Sequence, residues 1–397
     1  MDVLTQGLLG GVLAQSLATK HEKKIATLVG VVAGLLADAD ILIRSSSDPL
    51  LNIEYNRHFT HSLVFIPVGA AIAMLLLWPF VHRHLSARRL YLFSLAGFSM
   101  SGVLDAFTSY GTHLFWPFSD ERVALNIISI VDPVFTLILL VTLLTGLQLG
   151  QRKVAFAGLF LCMMYLGMGF VQLQRAGQVA EDLRDKRGHL AMQSVVKPTL
   201  ANLVLWRSVY IHEDRIHVDA IRVGLFDAGR VFEGESVARF SLDRDLPQLD
   251  ESSVLYTDIV RFLSFSDGYV ALDPMQANVL GDIRFSMLPV SARPLWGIVI
   301  DRDRPQVHAD YRAAGATVHT TNTYAVLRDR LEGTGMEDHF ANLQKAALDE
   351  AQGLGVLAGS IGPLRASYRP DLMPAHEEAV AIYTEVANML APHVDIL

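Results

Sequence analysis

Six side chains in the first third of the chain could do chemistry together: Asp38 and Asp40 in "LLADADIL", His58 and His61 in "NRHFTHS", Asp105 in "LDAF" and Asp132 in "SIVDPVF". Neutral imidazole nitrogens and carboxylate oxygens are good ligands for zinc, and oxygen-rich sets also take manganese or magnesium. Two or three such ions held by shared carboxylates can activate water and stabilise a phosphoryl or acyl transition state. If residues 58 to 61 open a helix, His58 and His61 share a face. Asp38 and Asp40 share none in a regular helix, so they can act as a pair only where the helix ends or unwinds. Asp132, just before Pro133, reads equally well as a helix cap.

The elements that must position these residues are apolar. Of the 397 residues, 51% are hydrophobic and 19% charged, and the mean hydropathy is +0.32, which is too apolar for an ordinary soluble chain. Segments near the ~20 residues that span a ~30 Å hydrocarbon core cover about 25 to 43, 62 to 82, 90 to 110, 127 to 149 and 154 to 174. A shorter apolar stretch covers about 3 to 18, with no basic region before it, and is expected to be a retained helix. These features predict an α-helical membrane domain over 1–174, with five spans plus the short N-terminal helix. A helical connector (175–197) and an α+β extramembrane domain (198–397) follow.

Charge sets the expected orientation. The alternate loops at 19–24, 82–89 and 150–153 carry Lys20, Lys23, Lys24, Arg83, Arg88, Arg89, Arg152 and Lys153. The positive-inside rule puts these in the cytoplasm, and with it puts residues 44–61, 111–126 and everything after 175 on the outer side. All six candidate residues then fall in one outer layer. Charged groups near a helix centre cost roughly 2.5 to 3.5 kcal/mol on insertion scales, so such a gathering calls for a partner or a metal. The second part is acidic, 22 Lys/Arg against 31 Asp/Glu after residue 174, and is not expected to bind nucleic acid. Cys162 is the single cysteine, so the chain has no internal disulfide and no thiolate cluster.

The order "LTQGLLG", "LLADADIL", "EYNRHFTHSLVFIP" and "LDAFTSYGTHLFWPF…IVDPVF" resembles the YdjM-like, LexA-regulated inner-membrane hydrolases, over most of residues 1–145. The resemblance implies metal ligation by Asp38, Asp40, His61 and Asp105, support from Arg57, Thr60, Ser109, Tyr110 and Thr112, and a metal or orienting role for Asp132. His58 is present in the related pattern and could be recruited, as could His113. Two positions depart from it: Gln6 and Asn56 stand where relatives commonly carry histidine, and a carboxamide oxygen is a weaker zinc ligand.

Beyond 198, runs such as "LVLWRSVYI", "RIHVDAIRVGLF" and "PLWGIVIDR" predict an antiparallel sheet, with helices near 336–354 and 375–391. No Gly-rich phosphate loop, G-x-S-x-G elbow or CxxC occurs. His189, His212, His217, His308 and His319 stand at no metal-ligand spacing. The expected function is metal-dependent hydrolysis of a phosphoester or ester in a lipid-linked substrate, at the outer face of an inner (cytoplasmic) membrane. In this reading a carboxylate such as Asp132, or a second bound water, accepts a proton, and Arg57 holds the substrate phosphate or contacts a lipid headgroup. The alternative is a weakened or inactive relative acting as a membrane scaffold or lipid-binding protein.

Overall fold

The structure, a computed structural model, describes every residue except 44, 46–47, 225–227, 313–317, 322, 325, 352–355, 366–373 and 396–397. The chain divides into two units, Met1–Arg312 and Ala313–Leu397. Among the described residues the first unit opens with eight α-helices: α1 (Val3–Leu17), α2 (Lys23–Leu36), α3 (Leu51–Tyr55), α4 (Ile66–Val81), α5 (Ala87–Ser99), α6 (Ser101–Ala106), α7 (Pro133–Leu149) and α8 (Arg152–Arg187). Asp2 caps α1 by accepting the Thr5 amide at 3.0 Å, and Ser86 caps α5. α1 packs against α2, α5, α7 and α8 and is buried around most of its surface.

Small residues let these helices touch. A Cβ on Gly30 would lie 2.3 Å from the Gly10 carbonyl oxygen, and one on Gly97 would lie 2.5 Å from that of Gly30. α1, α2 and α5 therefore meet backbone to backbone, the packing expected where lipid-like surroundings offer no hydrophobic drive between helices.

Among the described residues, three stretches are long and apolar enough to cross a membrane: Lys23–Leu42, Leu63–Val81 and Arg152–Arg187. α1 and α7 are apolar but shorter. The predicted segment at 90–110 is broken at Met100 into α5 and α6, and the segment at 127–149 becomes helical only at Pro133.

At 36 residues, α8 is about 54 Å long, well beyond a hydrocarbon core. Its distal part covers a sheet. Ala176 and Ala180 pack on Trp206, Ile221 and Val223, and Gln172 Nε2 donates to the Val223 carbonyl at 2.9 Å. Residue 174 thus marks a change of composition, not of packing. The helix stops at Arg187, short of the end of the connector expected over 175–197, because Gly188 takes a left-handed φ of 68° that closes the last turn. Residues 193–198 then join the sheet.

That sheet is an antiparallel meander of β1 (Gln193–Pro198), β2 (Leu205–His212), β3 (Arg215–Arg222) and β4 (Arg230–Ala238). After α9 (Leu242–Asp245) and α10 (Val254–Phe265) comes a second antiparallel meander, β5 (Val270–Asp273), β6 (Gln276–Asp282), β7 (Gly297–Val299) and β8 (Asp310–Arg312). The core under α10 takes in Leu50 and Ile53 from the helical part beside Phe262, Leu280 and Ile298. Arg261 ties the two together: it bonds Glu54 at 2.6 Å, Asp48 at 3.1 Å and Asp258 at 3.0 Å.

The second unit has its own apolar core, including Leu327, Phe340, Val386 and Leu390. It pairs strand Val318–Thr320 in parallel with Val356–Ala358, and its helices Phe340–Ala351 and His376–Leu390 fall in the windows expected from composition.

If the glycine contact carries the bundle, Gly30→Ala lowers stability by about 1–3 kcal/mol through overpacking. Thermal unfolding in detergent reads this as a lower midpoint; an unchanged midpoint would refute close helix contact at Gly30.

Candidate metal centre

The site begins where α2 tightens into a 3-10 turn at Ala37–Leu42. Residues two apart stand about 120° apart in a 3-10 helix, against about 160° in an α-helix. Asp38 and Asp40 are thereby drawn toward one side, the unwinding that the "DAD" spacing requires. A second 3-10 turn, Phe59–His61, presents His61. The third wall is α6. A Cβ on Gly102 would lie 1.9 Å from the His61 carbonyl oxygen, so only glycine allows this approach. Asp105, three residues further on, follows on the same helical face.

His61 Nε2 lies 3.3 Å from Asp38 Oδ1 and 3.1 Å from Asp105 Oδ2, yet has no hydrogen-bond partner. These three residues form a group whose ligand atoms all lie within 4.8 Å of one another. Tetrahedral zinc with bonds of about 2.0–2.1 Å has ligand–ligand edges of roughly 3.3 Å, so the spacing fits a small divalent ion. Asp38 Oδ2 and Gln6 Oε1 are also buried without partners, leaving further oxygen donors at the cluster. The Asp38 side chain keeps 18% exposure while those of His61 and Asp105 keep none, so Asp38 is the open edge.

Asp40 works from behind. Its Oδ2 accepts the Arg57 amide at 2.7 Å and the Thr60 hydroxyl at 2.8 Å, and lies 3.3 Å from His61 Nδ1. The Thr60 oxygen is 3.0 Å from the same nitrogen. Since Thr60 donates its proton to Asp40, it accepts from Nδ1–H, which leaves the Nε2 lone pair facing the cluster. This is the carboxylate–histidine arrangement that fixes a metal-binding imidazole.

Several donors converge on Asp105. Gln6 Nε2 donates to Oδ2 at 3.0 Å, Arg57 Nε lies 3.3 Å from the same oxygen, and the Met1 amine contacts Oδ1. Arg57 has a left-handed φ of 57°, its guanidinium lies 5.1 Å over the Tyr110 ring, and its Nη1 is unpartnered. The Thr112 hydroxyl holds the Arg57 carbonyl at 3.0 Å.

Other predicted residues fall elsewhere. Asp132 caps α7, accepting the Val134 and Phe135 amides and the Tyr165 hydroxyl, and is fully buried outside the cluster. His58 departs from helical backbone and lies 4.4 Å from the His113 ring, away from His61 Nε2. Burial, and next the Arg122 guanidinium, hold His113 down at about 4. Asn56 is also outside the cluster; its carbonyl accepts from Arg122 Nη2 at 3.3 Å. Ser109 lines a separate cavity of about 190 Å3 with Lys197 and Arg284.

Two groupings escape sequence spacing. His308 bonds Asp258 at 3.0 Å beside Asp48, but Arg261 already binds both carboxylates. His189, His212 and His217 gather with ring separations of 4.3, 4.8 and 6.3 Å. The signal for the last two is "HEDRIH": register pairs Tyr210 with His217, which puts His212 and His217 on one face across a tight hairpin.

Fold and site define a helical membrane domain with a buried imidazole–carboxylate cluster, extended by a sheet-bearing region. Residues 1–176 match the family model of the YdjM inner membrane protein. Residues 303–397 match a second model, homocysteine S-methyltransferase. The uncharacterized protein YfhP of Bacillus subtilis (strain 168) is 26% identical over 266 residues, 66% of this chain and 75% of that protein. That stretch is longer than the YdjM match, so the likeness takes in part of the extension. No solved structure matches the chain.

Asp38→Ala and His61→Ala are expected to lose bound zinc, whereas Asp40→Asn weakens it by about 10–100-fold, the usual effect of losing an orienting partner. Zinc titration against a competing chelator measures all three; equal affinities would rule out the assignment.

Proposed function

We propose that the protein is a metal-dependent hydrolase of the membrane surface, acting on a phosphoester or ester of a lipid-linked molecule at the outer face of a bacterial inner membrane. The supporting observation is the His61 imidazole, fixed by Asp40 on one side and facing two carboxylates with its free nitrogen on the other. A divalent ion, zinc first and manganese or magnesium next, would supply Lewis acidity and activate water at neutral pH.

The chain's own residues do the rest. Arg57 Nη1, with no partner, offers a guanidinium N–H to a phosphoryl oxygen. Tyr110 and Thr112 fix that side chain and its backbone. Asp38 Oδ2, unpartnered and at the open edge, is placed to take a proton at the site. Asp132 has its oxygens engaged by two amides and Tyr165, so it serves the fold of α7 in this reading and not proton transfer. The lipid-linked character of the substrate is supported by the cluster's place at the end of apolar helices, and the outer-face orientation by the eight basic residues of the alternate loops.

A second reading has its own support. Gln6 spends its amide on Asp105 Oδ2, an oxygen that a metal would need, so the enzyme can be a weakened one that serves as a membrane scaffold or lipid-binding protein. Asn56 contributes nothing to this weakening, because it stands outside the cluster.

Purified full-length protein loaded with zinc or manganese should hydrolyse bis(p-nitrophenyl) phosphate or a short-chain phosphatidate, and Asp38→Asn should abolish the rate. Gln6→His alone should raise both zinc affinity and rate. Stoichiometric metal with no hydrolysis by either wild type or Gln6→His would reject the enzyme in favour of the scaffold.

A further inference from the structure

A cleft of about 430 Å3 opens between the loops of the helical part and α10, lined by His58, His113, Arg122, Glu54, Arg261 and Phe265 among others. None of the Asp38–His61–Asp105 group lines it. Three buried nitrogens here have no hydrogen-bond partner: His58 Nδ1, His113 Nδ1 and Arg122 Nη1. Buried polar nitrogens without partners are costly, and three in one cleft, donors in Arg122 and in the Nδ1–H tautomers of the two imidazoles, call for a common ligand or for water.

The charge balance says which ligand. Glu54 and Arg261 are spent on each other at 2.6 Å. Arg122 is stacked 4.9 Å over Tyr110 and 4.8 Å over Phe265, and no carboxylate pairs with it among the described residues. Among the residues that line the cleft, the unbalanced charge is therefore positive. A metal ion would have two imidazole nitrogens, no unpaired carboxylate in the lining, only the exposed Asp120 nearby, and a guanidinium as neighbour, a poor set for a cation. An oxyanion with several oxygens satisfies all three nitrogens at once, and Arg122 matches its geometry.

We propose that this cleft is a second anion site, independent of the metal centre, that binds a phosphate group through Arg122, His58 and His113. Tyr55, Val260 and Phe265 in the same lining leave room and apolar surface for an organic part of the ligand. The phosphate can belong to a lipid headgroup or to free phosphate. The proposal does not depend on hydrolysis at Asp38 and His61.

The test uses full-length protein in phosphatidylcholine nanodiscs, stripped of metal with EDTA. Inorganic phosphate and dioctanoyl phosphatidate are titrated separately, followed by phosphorus NMR line broadening. Trp116, whose ring lies 5.9 Å from that of His58, provides a local fluorescence signal. Wild type and Asp38→Asn should bind alike. Arg122→Gln should bind at least about tenfold more weakly, as for loss of a charge-assisted contact. Because Arg122 is also stacked, the double variant His58→Phe/His113→Phe, which keeps both rings, should show a loss in the same direction with the thermal midpoint retained. Tighter binding of phosphatidate marks a lipid headgroup, and equal binding marks the phosphate group alone; both support the site. No binding of either probe to wild type overturns the proposal, as does binding that is lost in Asp38→Asn but kept in Arg122→Gln and the double variant.

Discussion

One buried carboxylate oxygen, Asp40 Oδ2, gathers the Arg57 amide, the Thr60 hydroxyl and the His61 imidazole around itself. This contact joins the end of α2 to the loop before α4, beside the approach of His61 Nε2 to Asp38 at 3.3 Å. A buried charge of this kind persists only when its lone pairs are used, and removing a partner from a buried pair costs about 3–5 kcal/mol. Here the partners are also the parts that set the site. The Arg57 amide is held while that residue sits at a φ of 57°, and the His61 ring is held with its other nitrogen toward Asp38 and Asp105. The aim of the imidazole is thus a by-product of solvating Asp40.

The opposite wall depends on a steric constraint. α6 reaches the cluster because Gly102 has no side chain to strike the His61 carbonyl, and the break at Met100 frees this short helix from the line of α5. Around these contacts, α1 carries Gln6 into the same buried layer and makes backbone contact with α2 through Gly10 and Gly30. The site is built at the junction of tightly packed helices, where a shift of one helix moves a candidate ligand.

The extension is built onto this bundle rather than tethered to it. α8 runs unbroken from the bundle to the sheet, and Arg261 draws carboxylates from both parts to one guanidinium. Leu50 and Ile53 enter the core beneath α10. Loops flanking the metal cluster are therefore held from the extension's side as well, and the His58–His113–Arg122 cleft lies where the two parts meet.

Composition and residue type alone determined that the first part is helical and apolar, that strands follow, and that imidazole and carboxylates at helix ends could meet. These are consequences of hydropathy, β-branching and ligand chemistry, each readable within a short window of sequence. Tertiary structure alone decided what each polar residue does. Asp40 became the brace of His61, Asp132 a cap tied to Tyr165, and His58 a partner of His113, although their letters are equally suited to binding metal. The same holds for His189, His212 and His217, which strand register and the end of α8 bring together. A side chain's role depends on which atoms reach its lone pairs, and those atoms come from segments far apart in the chain, so spacing within a motif cannot contain them.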